Sequence, residues 1–224
     1  MDVFGHRRKS DSDDAVGRLP PVLPMPARKM SRWGERWKGA DVVVMASGPS
    51  LTAEDIETVR QWREAGENRY VIVTNTTYKS APWADCLAFH DFKWWKKYGH
   101  NVVANFKGER VTITTSVNSS LVTILPRPGF DSYGNSGAMA INLAVLAGAK
   151  RVITLGLDCQ YMNGARHHFG DHPPGLGNAR SVKKWPNQFK RLAAHAKGRG
   201  AEVMNASRAT ALDCFERVNL EDVL

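Results

Sequence analysis

The chain has 224 residues, 42% of them hydrophobic and 24% charged, with a formal net charge of +9. This length suits one well-buried domain and excludes two full ones, and no apolar run approaches the roughly 20 residues needed to span a bilayer. The positive charge favours an anionic partner: a nucleotide, a nucleic acid or an acidic glycan.

The opening "MDVFGHRRKSDSDD" has no apolar segment behind its basic residues, so no secretory signal is expected. Cys86, Cys159 and Cys214 are odd in number, widely spaced and set among apolar residues. They predict reduced, buried thiols in a cytoplasmic protein rather than a disulfide frame or a zinc site. Residues 1–40 hold nine Lys or Arg against five Asp or Glu and include "RLPPVLPMPARKM". Those prolines oppose helix and central strand alike, predicting a flexible basic arm. The arm ends in a short docking piece, "SRWGERWKG", whose tryptophans are expected to cover the edge of the core.

From Asp41 onward the pattern is orderly. "DVVVMA" reads as a strand, "LTAEDIETVRQWREAG" as a helix with a Thr52–Asp55 capping pair, and "RYVIVTN" and "CLAFHD" as further strands. "FKWWKKYGH" mixes aromatic and basic side chains. It is either an amphipathic helix with its tryptophans packed inward or a surface for stacking on bases. "RVTITTS" and "SLVTILP" supply additional strands, and "SGAMAINLAVLAGA" is a small-residue helix buried all round, followed by the strand "RVITLGLD". An amphipathic helix, "VKKWPNQFKRLAAHAKGRG", leads to a last strand, "AEVMNAS". Alternating helices and nearly all-apolar strands predict a single α/β domain over residues 41–224. The expected form is Rossmann-like, a mainly parallel sheet with helices on both faces.

Such sheets bind ligands at the carboxyl ends of their strands, and the unusual polar and glycine residues fall there. They are Ser47, Gly48, Pro49 and Ser50 after the first strand, Asn75 after the second, His90 and Asp91 after the third, and Gly156 and Asp158 after "RVITL". Asn205 and Ser207 follow the last strand. The Ser47–Ser50 turn precedes one helix and Gly134-Asn135-Ser136-Gly137 precedes another; free amides at both starts suit a phosphate. Neither is a P-loop, since the lysine and the second glycine spacing are missing. Each has a plain structural alternative, an ordinary strand–helix turn or close helix–sheet packing, and Asp91 can simply cap the helix that follows it. The segment from Gly156 to Asn178 gathers Asp158, Tyr161, His167, His168, Asp171 and His172 in one loop. A histidine there can act as a general base, whereas the histidine spacing fits no standard zinc pattern.

As an ordered set, "ASGPSL", "VTN", "GNSGAMAINLAVLAGAKRVITLGLDCQYMNG" and "NASRATAL" resemble the bacterial sialyltransferases with a GNGPSL signature. They also resemble the related flagellin motility accessory factors and the archaeal 6-hydroxymethylpterin diphosphokinase-like proteins. The resemblance runs from about Asp41 to Phe215. The arm and "HHFGDHPPGLGN" are similar to phage-encoded members. The resemblance implies a nucleotide or nucleotide-sugar donor held by Gly48, Pro49, Ser50, Asn75, Ser136, Gly137, Gly156 and Asp158. Ser47 stands where the signature has asparagine, and Asp91 where the sialyltransferases tend to have asparagine. Asp158, Tyr161, Gly164 and His167 follow the run of the accessory-factor and diphosphokinase-like branch.

The reading that follows is a transferase using a nucleotide-activated donor, of the CMP-sugar glycosyltransferase type. Its base comes from among His167, His168 and His172, with Asp171 beside them; Ser47, Asn135, Asp91 and Tyr161 complete the donor site. It requires no cofactor, and the acceptor is a glycan, a small alcohol or DNA. One alternative is diphosphate transfer from ATP, with Mg2+ held by Asp91, Asp158 and Asp171. Another is a non-catalytic nucleotide- or nucleic-acid-binding protein. The oligomeric state is open, and a homo-oligomer is allowed.

Overall fold

The computed structural model describes residues 36–126, 129–177 and 181–224. Residues 1–35, which include most of the arm and Trp33, lie outside the described residues. Trp37 lies within them and covers the core edge as expected: it is buried, donates its backbone N–H to the Ala147 carbonyl (2.8 Å) and stacks on Tyr70 at 5.5 Å.

The chain builds one sheet of eight parallel strands. In chain order the elements are β1 (Asp41–Met45), α1 (Ala53–Glu64), β2 (Arg69–Thr74), β3 (Cys86–Ala88), α2 (Phe92–Asn105), β4 (Glu109–Thr112) and β5 (Thr123–Ile124). They continue with α3 (Ser136–Leu146), β6 (Arg151–Leu155), α4 (Trp185–Gly198), β7 (Glu202–Asn205), β8 (Glu216–Arg217) and α5 (Leu220–Val223). The spatial order is β5-β4-β3-β2-β1-β6-β7-β8. The chain therefore starts in the middle, winds outward to β5, and returns through α3 to lay β6 on the other side of β1. That reversal leaves a crevice at the carboxyl ends of β1 and β6, the position where open α/β sheets bind ligands.

Two-sided burial explains the run of valines. Val42 and Val44 point to the face covered by α3 and α4, while Val43 and Met45 point to the face covered by α1 and α2. Helix α3 lies nearest the sheet, and every residue from Gly137 to Val145 is buried. Its alanines keep the helix thin enough for that approach. Helix α1 begins with the anticipated capping box, in which Thr52 and Asp55 exchange side chain-to-backbone bonds of 3.0 and 3.1 Å. Helix α2 is amphipathic. Trp94 donates from its indole to Thr76 Oγ1 (2.9 Å) and Trp95 stacks on Phe89 at 4.9 Å, so neither ring is offered to a nucleic acid.

The β2–β3 crossover is a 3-10 turn, Asn75–Lys79. Two expectations need correction. "AEVMNAS" is not the last strand, because the two-residue β8 and the one-turn α5 follow it, too short to show any hydrophobic period. Of the three free cysteines, Cys86 alone is fully buried; Cys159 and Cys214 are half-buried. No described helix is long and apolar enough to cross a membrane.

Candidate functional site

Beyond Met45 the chain leaves β1 but stays bound to the end of β6. The Ala46 N–H donates to the Leu155 carbonyl (2.8 Å) and the Gly48 N–H to the Gly156 carbonyl (2.7 Å). Ser50 then donates its backbone N–H to Asp158 Oδ2 (2.7 Å) and its hydroxyl to Asp158 Oδ1 (2.6 Å). Glycine is required at position 48 because a Cβ would lie 2.3 Å from Asp158 Oδ1 and 2.4 Å from the Gly156 carbonyl oxygen. Asp158 is 1% exposed. Burial raises its pKa above the usual carboxylate value, and the two bonds from Ser50 oppose that rise.

This geometry revises several expected roles. Asp158 borders the cleft, but both its oxygens are occupied by the turn. Pro49 and Ser50 do not line the cleft, and neither does the start of α1. Pro49 and Ser50 are therefore scaffold, Ser47 and Gly48 stay on the lining, and one helix start rather than two faces the crevice. Asn205 and Ser207 are buried behind it, with Ser207 Oγ accepting from the Leu157 N–H (2.8 Å).

The helix start that does face the crevice belongs to α3. Tyr133 and Gly134 take positive φ values of 49° and 78°, turning the chain so that Asn135 caps α3 by accepting from the Ala138 N–H (2.8 Å). Ser136 donates its hydroxyl to Asn75 Oδ1 (3.2 Å), tying α3 to the end of β2, where Asn75 itself has φ of 46°. A Cβ on Gly137 would lie 3.1 Å from Leu157 Cδ1. The amides of Ser136 and Gly137 belong to the first helical turn, which has no intrahelical acceptor, and both residues line the cavity.

The cavity measures about 300 Å3 and gathers Ser47, Gly48, Asn75 and Asp91 with Asn135, Ser136 and Gly137. Gly156 and Asp158 form its floor, and His167 and His172 border it from the 156–178 loop. Asp91 also caps α2, accepting from the Lys93 N–H at 2.7 Å. Tyr161, His168 and Asp171 lie off the cavity. Tyr161 is 46% exposed beneath the Arg166 guanidinium, and Asp171 pairs with Arg166 at 2.9 Å. His168 donates its backbone N–H to the Ser47 carbonyl (3.1 Å), and its ring faces the other way, with Nε2 at 3.4 Å from Ser80 Oγ. Of these two neighbours, therefore, only His167 borders the cavity.

His167, Phe169 and His172 form an aromatic cluster with centroids about 5 Å apart. Burial, followed by the proximity of His172, pushes the His167 pKa down to about 4, and its Nε2 has no hydrogen-bond partner among the described residues. Burial also lowers His172, but Asp171 and Asp91 favour its charged form and oppose that effect.

The three carboxylates proposed for Mg2+ do not form a ligand set. Asp158 is engaged by Ser50, Asp171 is paired off the cavity, and Asp91 stands alone. Among the described residues, no group of three or more His, Cys, Asp or Glu could hold a metal ion. The cleft also contains residues that sequence reasoning missed: Arg166, and the apolar wall of Val182, Trp185 and Phe189. Trp185 opens α4 beside Pro186, which marked a helix start without revealing what the indole faces.

No family model matches the chain, and no curated protein is significantly similar to it.

Gly48→Ala forces backbone out of a contact with no slack and should lower unfolding stability by about 2–3 kcal/mol in urea titrations. The histidine pKa values predict a pH dependence as well. The folded value of His167 lies below the ordinary 6.5, so between about pH 4 and 6.5 the unfolded chain binds more protons and stability falls as pH drops. Urea midpoints measured across that window should show a shallower fall for His167→Gln than for the unaltered protein.

Proposed function

We propose that the protein is a transferase that binds a nucleotide-activated donor in this cleft, of the CMP-sugar glycosyltransferase type. The carrying observation is that the amino end of α3 and two half-buried histidines face one cavity at the β1–β6 crevice. In this reading the amides of Ser136 and Gly137 hold the donor phosphate, aided by the helix dipole. His172 is the base. Its neighbouring carboxylates stabilise the imidazolium that forms, whereas His167 stays neutral and serves as a hydrogen-bonding neighbour.

The acceptor hydroxyl attacks the donor carbon while its proton passes to His172. The carbon–oxygen bond to the nucleotide breaks, and the departing phosphate oxygen keeps the electron pair. Charge developing on that oxygen meets fixed N–H dipoles rather than a lysine, since Arg166 is the one Lys or Arg among the described lining residues. The acceptor, whether a glycan, a small alcohol or DNA, is left unspecified, as is self-association.

Thermal-shift screening against CMP, UMP and ATP, with and without magnesium, tests donor binding. The expected result is a rise in Tm with CMP that survives chelation. His172→Ala should keep that rise while slowing transfer or hydrolysis of a CMP-sugar roughly a hundredfold or more. A Tm unmoved by every nucleotide would contradict the reading.

A further inference from the structure

The lining of the cleft differs in chemistry by composition: Asn75, Asp91 and the histidines are polar, whereas the end of the cleft lining supplied by the first turn of α4, Trp185 and Phe189, is apolar, as is Leu157. Phe189 is fully buried in the core, whereas Trp185 is half-buried and rests on that core with part of its indole left to the cleft. Trp185 and Gln188 are three residues apart and share a helix face. The Gln188 amide packs on Gly134, where a Cβ would lie 2.5 Å from Gln188 Nε2. The first turn of α4 thus packs against the turn that leads into α3.

Asn135 lines the cavity, and its Nδ2, a donor, is buried with no hydrogen-bond partner among the described residues. The other half of the Asn135 amide is fixed by its cap on Ala138, which sets the orientation of Nδ2. A buried donor left unmatched costs free energy, and a ligand that supplies an acceptor recovers it.

We infer that this end of the cleft is a nucleobase subsite, an inference that rests on the donor-binding reading above. Trp185 stacks on the ring and Asn135 donates to an acceptor on its edge. An aromatic platform suits any base and has nothing to stack on in a sugar phosphate. The α3 amides then receive the phosphate of the same molecule. Recognition is divided between two neighbouring helix starts, with ring at α4 and phosphate at α3.

Isothermal titration calorimetry on the full chain with CMP, UMP, AMP, GMP and ribose 5-phosphate tests this division. The expected result is that one or more of the nucleotides binds at least roughly tenfold more tightly than ribose 5-phosphate. Trp185→Ala should bring nucleotide affinity down to that of ribose 5-phosphate and leave the sugar phosphate unchanged, while Trp185→Phe keeps most of the preference. Far-UV circular dichroism and thermal melts check folding, and Trp185→Phe retains a ring should the alanine variant unfold. Nucleotide binding unchanged in both Trp185 variants, or ribose 5-phosphate bound as tightly as the nucleotides, would overturn the subsite and leave donor binding standing. No binding of any nucleotide by the unaltered protein would overturn both.

Discussion

Ser50 and Asp158 hold two turns together that would otherwise be independent. The first follows β1 and the second follows β6, and they come from parts of the chain 108 residues apart. Burying a carboxylate is unfavourable, as the raised pKa of Asp158 reflects. Two donors from Ser50 offset that cost, and they do so only when the β1 turn lies flat on the end of β6. Gly48 allows the contact by having no side chain, and the Gly48–Gly156 backbone bond extends it. With this turn held down, α1 departs away from the crevice and α3 is left to face it.

That joint also determines how the polar residues of the rim divide. Those nearest the clamp, Pro49, Ser50, Asn205 and Ser207, form scaffold. Those one layer out, Asn75, Asn135, Ser136 and Gly137, line the cavity. The histidine loop closes the remaining side and is anchored by one backbone bond from His168 to Ser47. His167 borders the cavity, whereas the His168 ring lies off it, toward Ser80. Neither the fold nor this arrangement draws on the net charge of +9. The phosphate site in the proposed reading is made of backbone dipoles, and the cleft walls are mostly uncharged.

Much of the fold was legible because it rests on strong periodic signals. The valine run of β1, the Thr52–Asp55 capping pair and the small-residue composition of α3 each imply their structure by local physics, and residues 41–224 do form one α/β sheet domain. The shortest elements were less legible. "SLVTILP" does contain a strand, but β5 keeps only two of its residues, and the two-residue β8 is paired only by its position at the sheet edge, so tertiary placement rather than pattern creates it. At the site, strand-end position pointed to Gly48, Asn75, Asp91 and Asp158, which do line one cleft, and also to Asn205 and Ser207, which do not. It failed to separate a carboxylate facing a cavity from one bonded to a neighbouring turn, because Asp158 looks the same in sequence either way. Trp185 escaped notice for a related reason: an indole at the start of an amphipathic helix is ordinary core material unless the adjoining loop leaves part of it uncovered.

The central claim is that a nucleotide binds at the β1–β6 crevice with its phosphate on α3. A CMP titration followed by two-dimensional amide NMR on the isotopically labelled protein tests it most directly. The account predicts the largest shifts at the Gly48, Ser136 and Gly137 amides and at the Trp185 indole N–H, with Ala53, Glu54 and Asp55 at the start of α1 little changed. Shifts concentrated at the start of α1, or confined to surfaces away from the cleft, would contradict it.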